Sequence, residues 1–454
     1  MKVQYLKSAS VLVEHEGVRV LCDPWLTDGI YYGSWYHYPP LEITPEDFSD
    51  VDYIYISHVH PDHLDPETLR RLPDHIPVLI ANYKDRFVHR ILKQCGFEQI
   101  IELQGHRPYR LADDFFIEVL GADFCDPALC GHSFACQPEP DRITYALDTL
   151  AIFHGGGKVV VNTNDCPYGL TVSACKYMVD HYGKVDFLLV GYAGAGPYPQ
   201  CFEHQDEEAL MLKGEQKKRQ FIRQCSDYLE ALRPDYFLPF AGQYTLGGRL
   251  WHLNRFRGVP ELEDLELLFA SERSARGIAS EMVLLNSGEW FDLKEGIASS
   301  PYRPISMTDK LAYVERELSG KSYIYESDTP CTSDELLLKL QEAQRHMIGQ
   351  MATRGIRPRL HDWNVYMDVG DEEGIFHVPL TEGEVSRIPI RDIVEPCLAV
   401  QLDAKLLKRM LERKAHWNNA EIGSHLRFKR APDVFDRPLF TALCYLHLPS
   451  SIKG

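Results

Sequence analysis

The first 25 residues alternate apolar and polar positions with a period of two through "VQYL" and "SVLVEH", break at Glu16-Gly17, and resume in "VRVLCDPW". Period two is the spacing of a half-buried strand, so the chain is expected to open with a β-hairpin and a further strand. Short β-branched and aromatic runs predict more strands at "YIYI", "PVLIA", "QIIEL", "FFIEVLG", "RITYALDTLAIF", "KVVVNT", "VDFLLVGY" and "DYFLPF". Between them lie stretches with helical spacing: "PETLRRL", "KDRFVHRILKQCG" closed by Gly96, "TVSACKYMVDHY", and a long polar helix from about Glu207 to Leu232. Strands with helices inserted between them predict an α/β fold of two sheets that carry helices on their outer faces.

Near residue 295 the pattern loosens through "KEGIASSPYRPIS", rich in Ser, Pro and Gly. Residues 1–295 are expected to form one domain and residues 305–454 a smaller α+β domain. Helices are predicted there in "DKLAYVERELSG", "SDELLLKLQEAQRHMIGQM" and "AKLLKRMLERK", and strands around "NVYMDV", "IFHVPL" and "CLAVQL".

At 454 residues, 44% hydrophobic and 25% charged, the chain has apolar material for more than one core and no low-complexity tract. A net charge of −18 argues against a nucleic-acid partner, which needs a basic surface. No apolar run is long enough for a membrane span, and "MKVQYLKSAS" lacks the apolar core of a secretory signal, so a cytoplasmic location is expected. Twelve scattered cysteines then read as thiols or ligands more than disulfides.

Chemistry concentrates in "YIYISHVHPDHLD", residues 53–65, where three histidines and two aspartates follow a buried-strand pattern. Imidazole and carboxylate ligate borderline metals such as zinc and iron, and one carboxylate can bridge two ions. His58 and His60, one residue apart in extended chain, can reach one ion, while Asp62 and His63 curl toward a second. Distant strand ends offer the remaining ligands. Asp165, after the valines of "VVVNTNDC", is placed to bridge, although a helix cap explains it too. His252, in "LGGRLWHLN", is expected to complete the second ion, and packing beside Trp251 is its plainer explanation. The third ligand of the first ion is expected in "ADFCDPALCGHSFACQPEPD", where His132 is the choice over Glu139 and Asp126. Cys125, Cys130, Cys136 and His132 also admit a small structural zinc site, and Cys130 to His132 reads as half of a Rieske pattern, whose other half would fall at the distant Cys201 and His204.

"ISHVHPDHLD" resembles the metal loop of the metallo-β-lactamase superfamily, and the order His132, Asp165, His252 is that superfamily's order. The resemblance implies an αββα sandwich with its metals at one edge of the two sheets. Within the superfamily, "LCDPWLTDG", "VVNTNDC", "VGYAGAGPYP", "LRPDYFLPFAGQY", "HWNNAEIGSHLRF" and "FTALCYLHLP" resemble, in order, segments of the CMP-N-acetylneuraminate hydroxylase family. That family carries an N-terminal Rieske domain, whereas this sequence starts at the first strand, and its loop before Asp165 is longer.

With iron the implied site is a non-haem di-iron oxygenase that hydroxylates a polar small molecule such as a nucleotide-sugar; with zinc it is a dinuclear hydrolase of a lactone, ester or phosphodiester. Two metal ions are therefore expected, with iron favoured and zinc the alternative. An oxygenase would take electrons from a separate donor such as a ferredoxin or Rieske protein. Asp23 is expected to orient a ligand histidine. Tyr192, Tyr198 and Tyr244 fall on loops at the expected metal edge and are candidates for substrate contact, as are Trp417, Asn418 and His425 of a second domain that would cover the pocket.

Overall fold

The computed structural model describes residues 1–82, 86–121, 148–360 and 362–449. Two mixed sheets face each other. The first runs in the spatial order Ile297–Ala298, Trp290–Asp292, Lys2–Lys7, Ser10–His15, Val18–Cys22, Tyr53–Ile56, Val78–Ala81, Ile100–Leu103. The second runs Glu281–Met282, Tyr236–Phe240, Phe187–Gly191, Lys158–Asn162, Thr149–Gly155, Phe115–Gly121, Tyr109–Ala112. Inward-facing Val11, Val20 and Ile54 of the first sheet pack with Ile117, Phe153 and Leu189 of the second in one buried apolar cluster. The period-two pattern puts every second residue on this shared face, which explains why the opening alternation of the sequence is strict.

Helices close the outer faces. Phe87–Cys95 lays Val88 and Leu92 on the first sheet and ends at Gly96, whose φ of 106° provides the left-handed turn that stops a helix. Val172–Tyr182, Glu207–Leu232 and Leu265–Arg276 cover the second through Met178, Leu229 and Phe269. The long helix is polar by composition yet buries a stripe at Ile222, Cys225, Leu229 and Leu232, the three-to-four spacing that one helix face requires. The architecture is thus an αββα sandwich.

A third sheet follows in sequence, ordered Ser386–Ile388, Ile375–Pro379, Asn364–Asp368, Cys397–Gln401, Arg427–Ala431, with Ser333–Arg354 and Ala404–Leu411 packed on it. Its apolar interior is continuous with that of the sandwich: one cluster runs from Trp25 and Trp35 through Tyr228 and Phe269 to Leu406 and Leu446. A bridge between Phe202 and Phe428, whose rings stack at 4.8 Å, joins the two parts at one seam. Among the described residues no helix is long and apolar enough to cross a membrane.

Parallel strands set the location of the site. Val18–Cys22, Tyr53–Ile56 and Val78–Ala81 run parallel in the first sheet, and Lys158–Asn162, Phe187–Gly191 and Tyr236–Phe240 in the second. Loops at the carboxyl ends of parallel strands converge on one edge of such sheets. Asp23, Ser57 and Asp165 stand one to three residues past Cys22, Ile56 and Asn162.

Candidate metal centre

The loop after Tyr53–Ile56 is a tight turn: the amides of His63 and Leu64 both donate to the His60 carbonyl, at 3.0 and 2.8 Å. It ends where Asp65 accepts the amides of Glu67 and Thr68 at 3.1 and 3.0 Å and so caps the helix Pro66–Arg71. This turn folds His58, His60, Asp62 and His63 onto one spot. On the other sheet Asn162 Oδ1 accepts the Asn164 amide at 2.9 Å, a short turn that brings Asp165 across to meet them.

Two triplets of donors result, His58 with His60 and Asp165, and Asp62 with His63 and Asp165, the donor atoms of each within 4.8 Å of one another. Asp165 belongs to both. His58 and His63 are fully buried, Asp62 nearly so, and His60 and Asp165 half-buried, so the pair of triplets opens on one side.

Each histidine has one ring nitrogen tied outward and the other turned into the group. His63 Nδ1 donates to Asp23 Oδ2 at 2.8 Å, leaving Nε2 facing Asp165 Oδ2 at 3.4 Å and Asp62 Oδ2 at 3.7 Å. His58 Nδ1 lies 2.9 Å from Ser57 Oγ and 3.2 Å from Asp148 Oδ1, and its Nε2 faces His60 Nδ1 at 2.8 Å. His60 Nε2 donates to Asn418 Oδ1 at 2.9 Å. Asp23 gathers this network, since it also accepts the Ser57 amide at 2.7 Å and hydroxyl at 2.6 Å. It does so with φ at 45°, a left-handed conformation that Asp and Asn tolerate best after glycine.

The residues present fit a bound metal. His63 Nε2 is a fully buried polar atom that makes no well-formed hydrogen bond, its neighbours being the carboxylates of Asp165 at 3.4 Å and Asp62 at 3.7 Å. Two donors each about 2.1 Å from one ion at a tetrahedral angle stand about 3.4 Å apart, which matches its spacing to the two carboxylates. The electrostatics agree. Burial, with the neighbouring His63 and His60, holds His58 well below the usual histidine range, hence as the neutral ring a metal requires. Burial opposes protonation of His63 as well, yet Asp165, Asp23 and Asp62 outweigh it and hold its ring well above the ordinary value, which marks a spot that attracts positive charge. Burial and the nearby Asp165 push the Asp148 carboxyl well up.

The structure does not bring His252 to either triplet. It is exposed on the 3-10 segment Gly248–Phe256 and lines a separate cavity of about 450 Å³ with Phe202, Asp368 and Arg427. The glycine-rich turn before it leads into that segment, which shares the cavity with Asp368 and Arg427 of the third sheet. His132, its alternatives Glu139 and Asp126, and Cys125, Cys130 and Cys136 lie outside the described residues. Cys201 and His204 are used locally: the Cys201 thiol is 3.6 Å from the Ser424 carbonyl and His204 Nε2 is 3.2 Å from that of Pro199.

Of the residues named for substrate contact, Tyr244 is buried, its ring stacked on Trp35 at 3.6 Å. Tyr192 is buried with an unpartnered hydroxyl, and Tyr198 packs on Phe202 at 5.3 Å. Trp417 is buried in the shared core. His425, buried, is 2.8 Å from the Tyr31 carbonyl through Nε2 and 3.0 Å from the Tyr325 hydroxyl through Nδ1. Asn418 alone among them touches a member of the triplets. Sequence reasoning missed Asp148, hidden inside what reads as one continuous strand, and Tyr31, whose hydroxyl donates to Asp62 Oδ1 at 2.5 Å.

Residues 2–121 match the family model described as a beta-lactamase superfamily domain. A protein of Mycolicibacterium smegmatis named as a Rieske 2Fe-2S iron-sulfur protein is 27% identical over 331 residues, 69% of this chain and 59% of that protein. The cytidine monophosphate-N-acetylneuraminic acid hydroxylase of Danio rerio is 27% identical over 256 residues, 53% of this chain and 38% of that enzyme. The chain thus spans less than two thirds of the length of these relatives. Among solved structures, the diiron beta-hydroxylase CmlA from Streptomyces venezuelae is 18% identical with a TM-score of 0.40, covering 63% of this chain and 53% of that one. An isothiocyanate hydrolase from Delia radicum gut bacteria is 15% identical with a TM-score of 0.41, covering 64% and 98%. Residues 2–121 therefore carry a domain of the β-lactamase superfamily, in a chain homologous over part of its length to CMP-N-acetylneuraminic acid hydroxylase and to Rieske-named mycobacterial proteins.

Proposed function

We propose that the protein is a dinuclear metal enzyme, with iron the working metal, that hydroxylates a polar small molecule of the nucleotide-sugar class. The observation that carries the dinuclear reading is the place of Asp165 in both donor triplets, so that one carboxylate serves two adjacent positions. Hydroxylation in preference to hydrolysis is supported by the hydroxylase relative, which matches 53% of this chain.

When bound, two iron ions supply the binding and reduction of dioxygen; two zinc ions in the same ligands would supply a hydroxide nucleophile instead. The protein's own part is positional. Asp23 and Ser57 lock the rings of His63 and His58, so their inward nitrogens point at fixed positions. Tyr31 occupies one oxygen of Asp62 and leaves the other toward His63. Asp148, beside His58 and held toward its protonated form by burial, is placed to keep or give up a proton at the site's inner wall. Insertion of one oxygen atom into a C–H bond with release of water consumes dioxygen, two electrons and two protons; the electrons are assigned to a separate ferredoxin or Rieske-type donor.

The test is to load the purified chain with iron or with zinc, supply CMP-N-acetylneuraminate as probe, and follow mass. The iron form, with a chemical reductant and 18O-labelled dioxygen, is expected to add one labelled oxygen to the probe. Hydrolysis of a lactone, ester or phosphodiester by the zinc form at about 1 per second or faster, with no labelled product from the iron form, would replace hydroxylation by hydrolysis.

A further inference from the structure

We propose that Asn418 is a positioning residue of the metal centre: by accepting the Nε2 proton of His60 it fixes that ring with Nδ1 bare and turned toward His58, so that residues 416–425 are part of the centre and not a cover above it. This rests on the metal-binding reading of the two triplets.

A metal takes one nitrogen of an imidazole, and the ring's tautomer and orientation are set by what holds the other. For His58 and His63 those holders, Ser57 and Asp23, come from the same sheet edge and are buried. His60 differs: its outer nitrogen is served from 358 residues away in sequence. Without Asn418 the half-buried His60 ring would be free to rotate or to place its proton on Nδ1, the nitrogen that faces His58 at 2.8 Å.

The fold places Asn418 with some care. It is the second residue of the helix Trp417–Ile422, whose preceding residue His416 donates its amide to the Tyr32 hydroxyl at 2.7 Å. Beyond the helix, His425 reaches the Tyr31 carbonyl at 2.8 Å, and Gly423 sits so close to this turn that an added Cβ would come within 3.0 Å of Ser34 Oγ and 2.8 Å of the His425 ring. Tyr31 and Tyr32 hold φ of 49° and 62°, each a left-handed conformation that such residues seldom adopt. That strain is kept at the turn where the Tyr31 hydroxyl meets Asp62 while its carbonyl meets His425. The segment 416–425 therefore touches one triplet directly, through His60, and the other through Tyr31.

The experiment titrates the full-length apo chain with zinc against a chromophoric chelator and records 15N spectra of the histidine rings. The wild-type chain is expected to take two zinc ions and to show His60 protonated at Nε2. Asn418→Ala and Asn418→Gln, which remove or displace the acceptor, should lose about 10–100-fold in affinity at one of the two positions. Asn418→Asp, which keeps an acceptor at the same reach, should stay within a few-fold of wild type. Should Asn418→Ala fail to fold, the contrast between Gln and Asp carries the same reading. Two zinc ions bound by Ala or Gln as tightly as by wild type, with the His60 signals unmoved, would overturn the role of Asn418 alone; a wild-type chain that takes up no zinc would overturn the metal reading beneath it.

Discussion

His63 Nδ1 stands 2.8 Å from Asp23 Oδ2, with both residues fully buried and 40 positions apart in the chain. The bond joins the end of one strand to the loop after its parallel neighbour, and Asp23 accepts the Ser57 amide and hydroxyl as well. Asp23→Ala would leave several buried donors unpaired, and a loss of about 3 kcal/mol or more in unfolding free energy is expected. Asp23→Asn keeps one acceptor and the residue's tolerance of positive φ, so it should fold and instead lose about 10–100-fold in metal affinity. Denaturant unfolding and metal titration of both variants check this; an Asp23→Asn chain with wild-type metal affinity would contradict it.

Lys7 supplies a pH signature away from the metal ligands. It is buried, donates to the Tyr38 carbonyl at 2.7 Å, and burial, with Lys310 nearby and against the pull of Glu261 and Glu263, pushes its amine down to about 7 from an ordinary 10.5. A base whose folded value is depressed is bound by more protons when unfolded across that window. Its contribution is therefore least favourable below about pH 7 and improves as pH rises toward 10.5, with a slope of up to about 1.4 kcal/mol per pH unit for one proton. Lys7→Met should lack that one-proton increment. Unfolding free energies at pH 7, 8 and 9 measure it, and parallel slopes for the two chains would refute the assignment.

Most of the sandwich was legible because its signals are local. Strict alternation marks strands, three-to-four spacing marks the outer helices, and the crowding of His58, His60, Asp62 and His63 lies within one turn. Asp165 was visible as a carboxylate just past an apolar strand. His252 carried no comparable local signal: a histidine after a glycine-rich turn has a type and a position in sequence, while its distance from the loop depends on how the 3-10 segment leaves the sheet. The partnership of Asn418 with His60 was illegible for the same reason, since nothing within either segment encodes a contact across 358 residues. Asn418 was nameable, but its role was not.

The connection near residue 300 bears on the two-domain reading. Side chains of Lys294 and Arg303 are 83% and 79% exposed, yet the Arg303 amide and carbonyl are both tied to Asn286 and the core is continuous across the seam. Trypsin is expected to cut first after Lys294, and the two fragments should elute together under native conditions because the apolar cluster still joins them. A first cut after Lys158, at the start of the core strand Lys158–Asn162, or fragments that separate, would contradict the proposed boundary or the shared core.

The central claim is that Asp165 serves two adjacent metal positions. Elemental analysis of wild-type and Asp165→Ala chains, each reconstituted with iron and passed through a desalting column, tests it most directly. Two ions per wild-type chain, and a loss at both positions in the variant, is the expected result. Retention of two ions by Asp165→Ala, or loss of one with the other bound as tightly as before, would contradict the shared carboxylate.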